Sequence, residues 1–138
     1  MRIEKDYCDY DTCVALEELG FREPTLTHYM ENYPNNLIYH YHDNACVKDC
    51  YRRVSSRNGV FGAPTLYDAQ KWLRGEKKID IFVRAGYLGK NRVRHYYVEV
   101  FTSKDVIYLD NDSKDYDSYE EALLEGVRAS IKLLKEEK

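Results

Sequence analysis

Residues 63–75 read APTLYDAQKWLRG, and they open the segment with the clearest pattern in the chain, which runs to Phe101. The Pro64-Thr65 pair is typical of a helix start. Apolar residues then recur at helical spacing on one stripe, at Leu66, Ala69, Trp72 and Leu73. The pattern predicts a helix that ends at Gly75, with Trp72 packed in the core.

Two strand-like runs follow this helix, at Ile79–Leu88 and Arg92–Phe101. The link Gly89-Lys90-Asn91 between them favours a hairpin, which makes the two strands antiparallel. Both alternating sets of the second run are partly apolar, which is typical of a central strand covered on both sides. The segment therefore predicts a helix, a hairpin and the middle of a sheet.

Upstream, a short helix is predicted at Cys13–Leu19, with Asp11 or Thr12 as its N-cap and Gly20 at its end. Thr25–Met30 and Asn36–His42 are predicted to form an antiparallel hairpin around the turn formers of 31–35. Residues 43–62 show no period. They are expected to form an ordered irregular loop, with one helical turn around 47–52.

Downstream, Val106–Leu109 is predicted to be a further strand, and a long helix closes the chain. Ser118 and Glu121 form a capping box at the start of that helix. An apolar stripe follows, at Tyr119, Leu123, Val127, Ile131 and Leu134. The order α-β-β-loop-α-β-β-β-α predicts a single α+β domain over 1–138. We expect one mainly antiparallel sheet of about four to five strands, with about three helices mostly on one face.

Composition sets few limits on function. Of the 138 residues 43% are apolar and 14 are tyrosines, which suits a globular domain with partly exposed aromatic rings. The sequence has no apolar run of the roughly 20 residues that a membrane helix needs, so no membrane is expected. The first residues lack the apolar core of a secretion signal. The location predicted from these features is cytoplasmic.

Charge is distributed unevenly. Residues 46–104 carry 13 basic and 5 acidic side chains, whereas the flanking segments 1–45 and 105–138 are net acidic, and the whole chain is −3. A basic middle favours either an anionic partner or complementarity between parts of the same protein. The basic side chains that alternate with tyrosines are candidates for binding nucleic acid or a nucleotide. They lie in the hairpin between Arg84 and Arg94 and in the 46–62 loop: Arg52, Arg53, Arg57, Arg84, Lys90, Arg92 and Arg94, with Tyr87 and Tyr96.

Cysteine and histidine give a weaker signal. Cys46 and Cys50, with His40 and His42 nearby, are the candidates for a zinc site or for a thiol–imidazole pair. Their spacing matches no complete zinc motif, and P-loop, dinucleotide-binding and metalloprotease motifs are absent from the sequence. Reduced thiols are the alternative. The sequence accordingly predicts no cofactor, no metal and no catalytic residue.

Several landmarks together resemble a family of short proteins encoded by gut Bacteroidetes, their prophages and phages. They are Cys8 ahead of Leu19-Gly20-Phe21, then Arg57-Asn58, Ala63-Pro64-Thr65, Lys71-Trp72-Leu73-Arg74 and Ser118-Tyr119-Glu120-Glu121-Ala122. The resemblance spans about Cys8 to Leu134. It implies provenance and a shared fold, and it brings no activity, cofactor or catalytic residue.

The hypothesis that follows is a small accessory protein of a phage or mobile element that binds another macromolecule without catalysis. The partner would be a host or phage protein, or a second copy held through an edge strand. A nucleic-acid or nucleotide binder is the first alternative. An enzyme that depends on Cys and His, or on zinc, is the second.

Overall fold

A computed structural model describes residues 3–40, 51–109 and 116–136. These residues form three α-helices and two three-stranded antiparallel sheets, so the predicted α+β class and antiparallel pairing are confirmed. The prediction of one sheet with four to five strands was wrong: there are six strands in two sheets. The chain divides into two compact units, Met1–Tyr67 and Asp68–Lys138.

The first helix of the first unit, α1, spans Tyr10–Glu18. It starts three residues earlier than predicted because Asp9, not Asp11 or Thr12, is the N-cap: its Oδ1 accepts the Thr12 N–H at 3.0 Å. The predicted end at Gly20 is confirmed. Gly20 has a φ of 104°, and the Phe21 N–H donates to the Leu16 carbonyl at 2.9 Å.

The first sheet contains β1 (Thr27–Met30), β2 (Tyr33–Tyr39) and β3 (Val60–Gly62), in the order β2-β1-β3. The predicted hairpin is β1–β2, with a tighter turn than expected. Strand β3 lies within the segment that was predicted to be irregular. Its three residues are too few to show alternation, and it forms because it pairs with β1 from His28 to Met30. The helical turn predicted around 47–52 lies mostly outside the described residues.

The centre of this sheet depends on the buried hydroxyl of Thr27, which donates to the Ala63 carbonyl at 2.7 Å. Thr27→Val is expected to lower the free energy of unfolding by about 1–3 kcal/mol, because it leaves a buried carbonyl without that donor. Thr25→Val is the matched control. This variant also removes a hydroxyl hydrogen bond, but the acceptor of that bond, the Thr27 carbonyl, still accepts a hydrogen bond from the Ala63 N–H at 2.9 Å. Urea unfolding of both variants measures the difference, and equal losses would contradict this account.

The second helix, α2, spans Leu66–Glu76, and the apolar stripe predicted for it includes the fully buried Leu66, Ala69 and Leu73. Trp72 is only half-buried, with the Lys77 Nζ 5.5 Å from its ring centroid. Gly75 does not end the helix as predicted. The chain reverses at Lys78, whose φ is 58°, and the Ile79 N–H returns to the Leu73 carbonyl.

The second sheet contains β4 (Asp80–Leu88), β5 (Val93–Phe101) and β6 (Val106–Leu109), with β5 in the middle as predicted. Ile81 faces Val100 and Val83 faces Val98, which places these four apolar residues on one face. Helix α3 (Tyr119–Glu136) packs on that face.

The start of α3 confirms the predicted Ser118 cap, whose Oγ accepts the Glu121 N–H at 3.1 Å. Its buried stripe includes Leu123, Val127 and Ile131. Gly126 lies at the closest approach to the sheet, because a Cβ placed there would be 2.6 Å from the Ile81 Cγ2 atom.

Candidate functional site

The turn between β4 and β5 carries two exposed basic residues, Lys90 and Arg92, and a third, Arg94, follows at the start of β5. Gly89 has a φ of 75° and Arg92 a φ of 51°, and the Arg92 N–H donates to the Gly89 carbonyl at 3.2 Å. A left-handed backbone costs a non-glycine residue about 1–2 kcal/mol. The turn therefore adopts this conformation at Arg92 at a cost in stability.

Each of the two arginines lies over a tyrosine ring. The Cζ atom of Arg92 is 5.2 Å from the ring centroid of Tyr87, and that of Arg94 is 5.1 Å from the ring centroid of Tyr96. Tyr87 and Arg94 are also directly opposite each other in the β4–β5 register. We call these four residues the Arg–Tyr surface. They combine guanidinium groups with aromatic faces at one end of the hairpin.

The two tyrosines of the Arg–Tyr surface differ in exposure. Tyr87 is 54% exposed, so its ring is open to a ligand. Tyr96 is half-buried, meets the Tyr119 ring edge to face at 6.3 Å, and exchanges two backbone hydrogen bonds with Tyr116. Contacts with neighbouring residues therefore hold Tyr96 in place, whereas the ring of Tyr87 is accessible. Tyr116 had no signal in the sequence, and Tyr119 was predicted only as part of the apolar stripe of α3, because their contacts with Tyr96 depend on where α3 meets β5.

Arg84 lies apart from this surface, although the sequence grouped it with the hairpin. It lies three positions before Tyr87 in β4, so the two side chains are on opposite faces of the strand. The Arg84 Nε atom is 3.1 Å from the Glu99 Oε1 atom, and Glu99 is only 8% exposed. Arg84 therefore neutralises a largely buried carboxylate.

The second basic cluster of the sequence belongs to the first unit. Arg52, Arg53 and Arg57 are all exposed. Arg52 pairs its backbone with Thr25, through hydrogen bonds of 2.8 and 2.9 Å, and Arg57 lies in the 3₁₀ turn Ser56–Asn58. Residues 46–50 of the predicted loop lie outside the described residues.

Of the four residues that the sequence offered as a zinc site, Cys46, Cys50 and His42 lie outside the described part of the chain. The remaining residue, His40, has both ring nitrogens in hydrogen bonds. Its Nδ1 is 3.1 Å from the Thr25 carbonyl oxygen, and its Nε2 is 2.5 Å from the His28 Nδ1. Within residues 3–40, 51–109 and 116–136, no three His, Cys, Asp or Glu side chains are placed to hold a metal ion.

The histidine pair has a definite arrangement of protons. A carbonyl only accepts, so the His40 Nδ1 carries a proton and donates it to the Thr25 carbonyl. In a neutral His40 the Nε2 then accepts the His28 Nδ1–H. Burial, and secondly the neighbouring His40, lower the pKa of His28 from 6.5.

This lowered pKa predicts a loss of stability in mild acid. The unfolded chain takes up a proton near pH 6.5, whereas the folded His28 does so only at lower pH, so the free energy of unfolding falls as the pH drops below about 6.5. His28→Gln retains an N–H donor and does not titrate, and it is expected to flatten this dependence. Thermal unfolding at pH 7.5 and 5.5 measures the effect. An unchanged pH dependence in the variant would contradict it.

The described cysteines do not form a reactive site. Cys8 and Cys13 are both buried thiols, and the Cys13 Sγ–H donates to the Cys8 carbonyl at 3.6 Å. Burial raises the pKa of Cys13 well above its usual value, with smaller contributions from Cys8 and Asp9. Cys13 is therefore a protonated thiol at neutral pH, which is a poor nucleophile.

The second unit also contains a cavity of about 390 Å³ beside the open edge of β4, a volume in the range of small-molecule sites. Its lining consists of Gln70, Arg74, Asp80, Ile81, Phe82, Val83 and Tyr119. Among the residues that the structure describes, neither a cysteine nor a histidine lines this cavity.

No family model, no curated protein and no solved structure matches this chain. In the described ranges, no helix combines the length and the apolar character needed to span a bilayer.

Proposed function

We propose that this protein is a non-enzymatic binding module whose Arg–Tyr surface holds single-stranded nucleic acid. One observation carries the proposal: two guanidinium groups lie over two tyrosine rings, 5.1–5.2 Å from their centroids, at the end of one hairpin, with Lys90 in the turn beside them. Arginine and lysine pair with phosphates, while tyrosine and arginine planes stack on bases. This supports a nucleic acid over the protein partner that the sequence also left open. A role as a phage or mobile-element accessory stays a prediction from resemblance.

A single strand fits this surface better than a duplex. The aromatic contribution requires a base whose face is free, and bases in a duplex are already stacked on each other. Tyr87 is the ring exposed enough to receive such a base. Stacking on an aromatic ring accepts the face of any base, so we expect little preference for sequence.

Fluorescence anisotropy with labelled oligonucleotides tests the proposal. The ligands are mixed-sequence single strands of DNA and RNA about 12 nucleotides long, and a duplex of the same length. With three cations facing phosphates, the logarithm of the affinity should fall with the logarithm of the salt concentration with a slope of about −2. Affinity for single strands is then expected to drop roughly tenfold between about 50 and 150 mM salt. No binding at the lower salt concentration would remove the proposal, as would tighter binding of the duplex.

A further inference from the structure

We propose that a second copy of this chain binds the open edge of β4 and joins the two second sheets into one continuous sheet. The inference does not depend on the proposed function. It rests on the direction of the β4 backbone groups, on what already occupies that edge and on the charges that a two-fold axis would bring together.

In the described part of the chain, strand β4 is at the edge of its sheet and pairs on one side only, with β5. Two observations fix which of its backbone groups point outward. The Gln70 side-chain N–H donates to the Ile81 carbonyl at 2.8 Å, so this carbonyl points away from β5. Tyr96, which is opposite Ala85, exchanges hydrogen bonds with Tyr116 on the far side of β5. Since backbone direction alternates along a strand, both observations place the outward groups at the odd-numbered positions of β4.

The outward groups of Ile81 are therefore partly occupied by Gln70, whereas those of Val83, Ala85 and Tyr87 have no hydrogen-bond partner among the residues that the structure describes. An unpaired row of backbone groups on an edge strand is a template for pairing with another strand. The free row is five residues long, about the length of an ordinary strand. It can accept one further strand without disturbing Gln70.

A symmetric antiparallel dimer can use this row in few registers. If the two-fold axis of the dimer lies at Arg84, the two Arg84 side chains are directly opposite each other, which is unfavourable because both are positively charged. An axis at Val83 brings the occupied Ile81 groups into the new ladder. An axis at Ala85 avoids both problems, because Val83 of each copy then faces the partner's Tyr87 and Arg84 faces the partner's Gly86.

This register is also complementary in charge. With the axis at Ala85, Asp80 of each copy is level with the partner's Lys90. The pairing of β-branched Val83 with aromatic Tyr87 is of the kind that stabilises antiparallel sheets. Ala85 has the smallest side chain of the three, and it is the residue at the axis, where the two copies approach most closely.

Cross-linking tests the register. Hydrogen-bonded residues on the axis have Cα atoms about 5.5 Å apart, within the range of a disulfide. In a Cys46→Ser, Cys50→Ser background, Ala85→Cys is expected to form a covalent dimer under mild oxidation. Tyr87→Cys is the matched control, because its two copies would be separated by four residues along the strands, about 13 Å, and should not cross-link. Equal cross-linking of the two variants would overturn the register.

Sedimentation velocity tests the dimer itself. Ala85→Lys places two like charges at the axis and is expected to weaken dimerisation at least tenfold, while Val93→Lys, on an exposed residue of β5 away from the edge, is expected to leave it unchanged. Ala85→Pro removes an outward N–H that β5 does not use, so the variant should fold, as circular dichroism would show, and remain monomeric. A wild-type protein that stays monomeric at several hundred micromolar would overturn the proposal, even if peptides from other proteins bind the edge.

Discussion

Replacing Gly126 with valine is expected to lower the free energy of unfolding by about 3 kcal/mol. A Cβ at this position would lie 2.6 Å from the Ile81 Cγ2 atom and 2.9 Å from the Val98 Cγ2 atom. Both side chains are buried, 4% and 0% exposed, so neither can rotate into solvent. The added atoms would push α3 off the sheet and disturb the packing of its whole buried stripe.

Gly126→Ala provides the graded comparison. Alanine gains about 1 kcal/mol over glycine in a helix interior, which offsets part of the steric cost, so its loss is expected to be smaller than that of valine. Lys132→Val is the matched control, since Lys132 is exposed on the same helix and loses only helix propensity, less than about 1 kcal/mol. Urea unfolding at an unchanged m-value measures all three. A valine variant as stable as the wild type would show that α3 does not approach the sheet this closely.

The second large effect concerns binding. The triple substitution Tyr87→Ala, Arg92→Gln, Arg94→Gln is expected to weaken binding of single strands about a hundredfold at low salt, since base stacking on an aromatic ring contributes about 1–3 kcal/mol and two phosphate contacts are lost as well. The salt slope should become less steep by about 1.4. Anisotropy titrations at several salt concentrations give both quantities.

Two control variants distinguish binding at the Arg–Tyr surface from a general effect of positive charge. Lys71→Gln with Arg74→Gln removes two positive charges from exposed residues of α2, and it is expected to have a much smaller effect. Tyr87→Phe retains the ring, so it should bind nearly as well as the wild type. If the α2 variant loses as much affinity as the triple variant, binding depends on net charge and not on the Arg–Tyr surface.

Long periodic elements could be predicted from the sequence because local signals determine them. The stripe and Ser118 cap of α3, and the alternation in β4 and β5, are such cases. Strand β3 could not be predicted, since three residues acquire their conformation from β1. The division into two sheets also depends on pairings between distant residues. The prediction that α2 ends at Gly75 was wrong because the chain reverses further on, at Lys78, which has a positive φ.

The sequence predicted the β4–β5 hairpin, which the structure confirms, but it did not divide the candidate binding residues between the two faces of that hairpin. Tyr87, Arg92, Arg94 and Tyr96 come together, as the alternation of basic and aromatic residues suggested. Arg84 could have been set apart, because its offset of three positions from Tyr87 places it on the other face of β4. Its pairing with Glu99 depends on the cross-strand register, which the sequence alone does not give.

The most direct test of the account is an amide-resolved NMR titration of the whole protein with a single-stranded oligonucleotide of about 12 nucleotides. Proposed binding at the Arg–Tyr surface predicts the largest shifts from Tyr87 to Tyr96, with little change at Arg52, Arg53 and Arg57. Shifts confined to the first unit, or no shifts at saturating oligonucleotide, would contradict it.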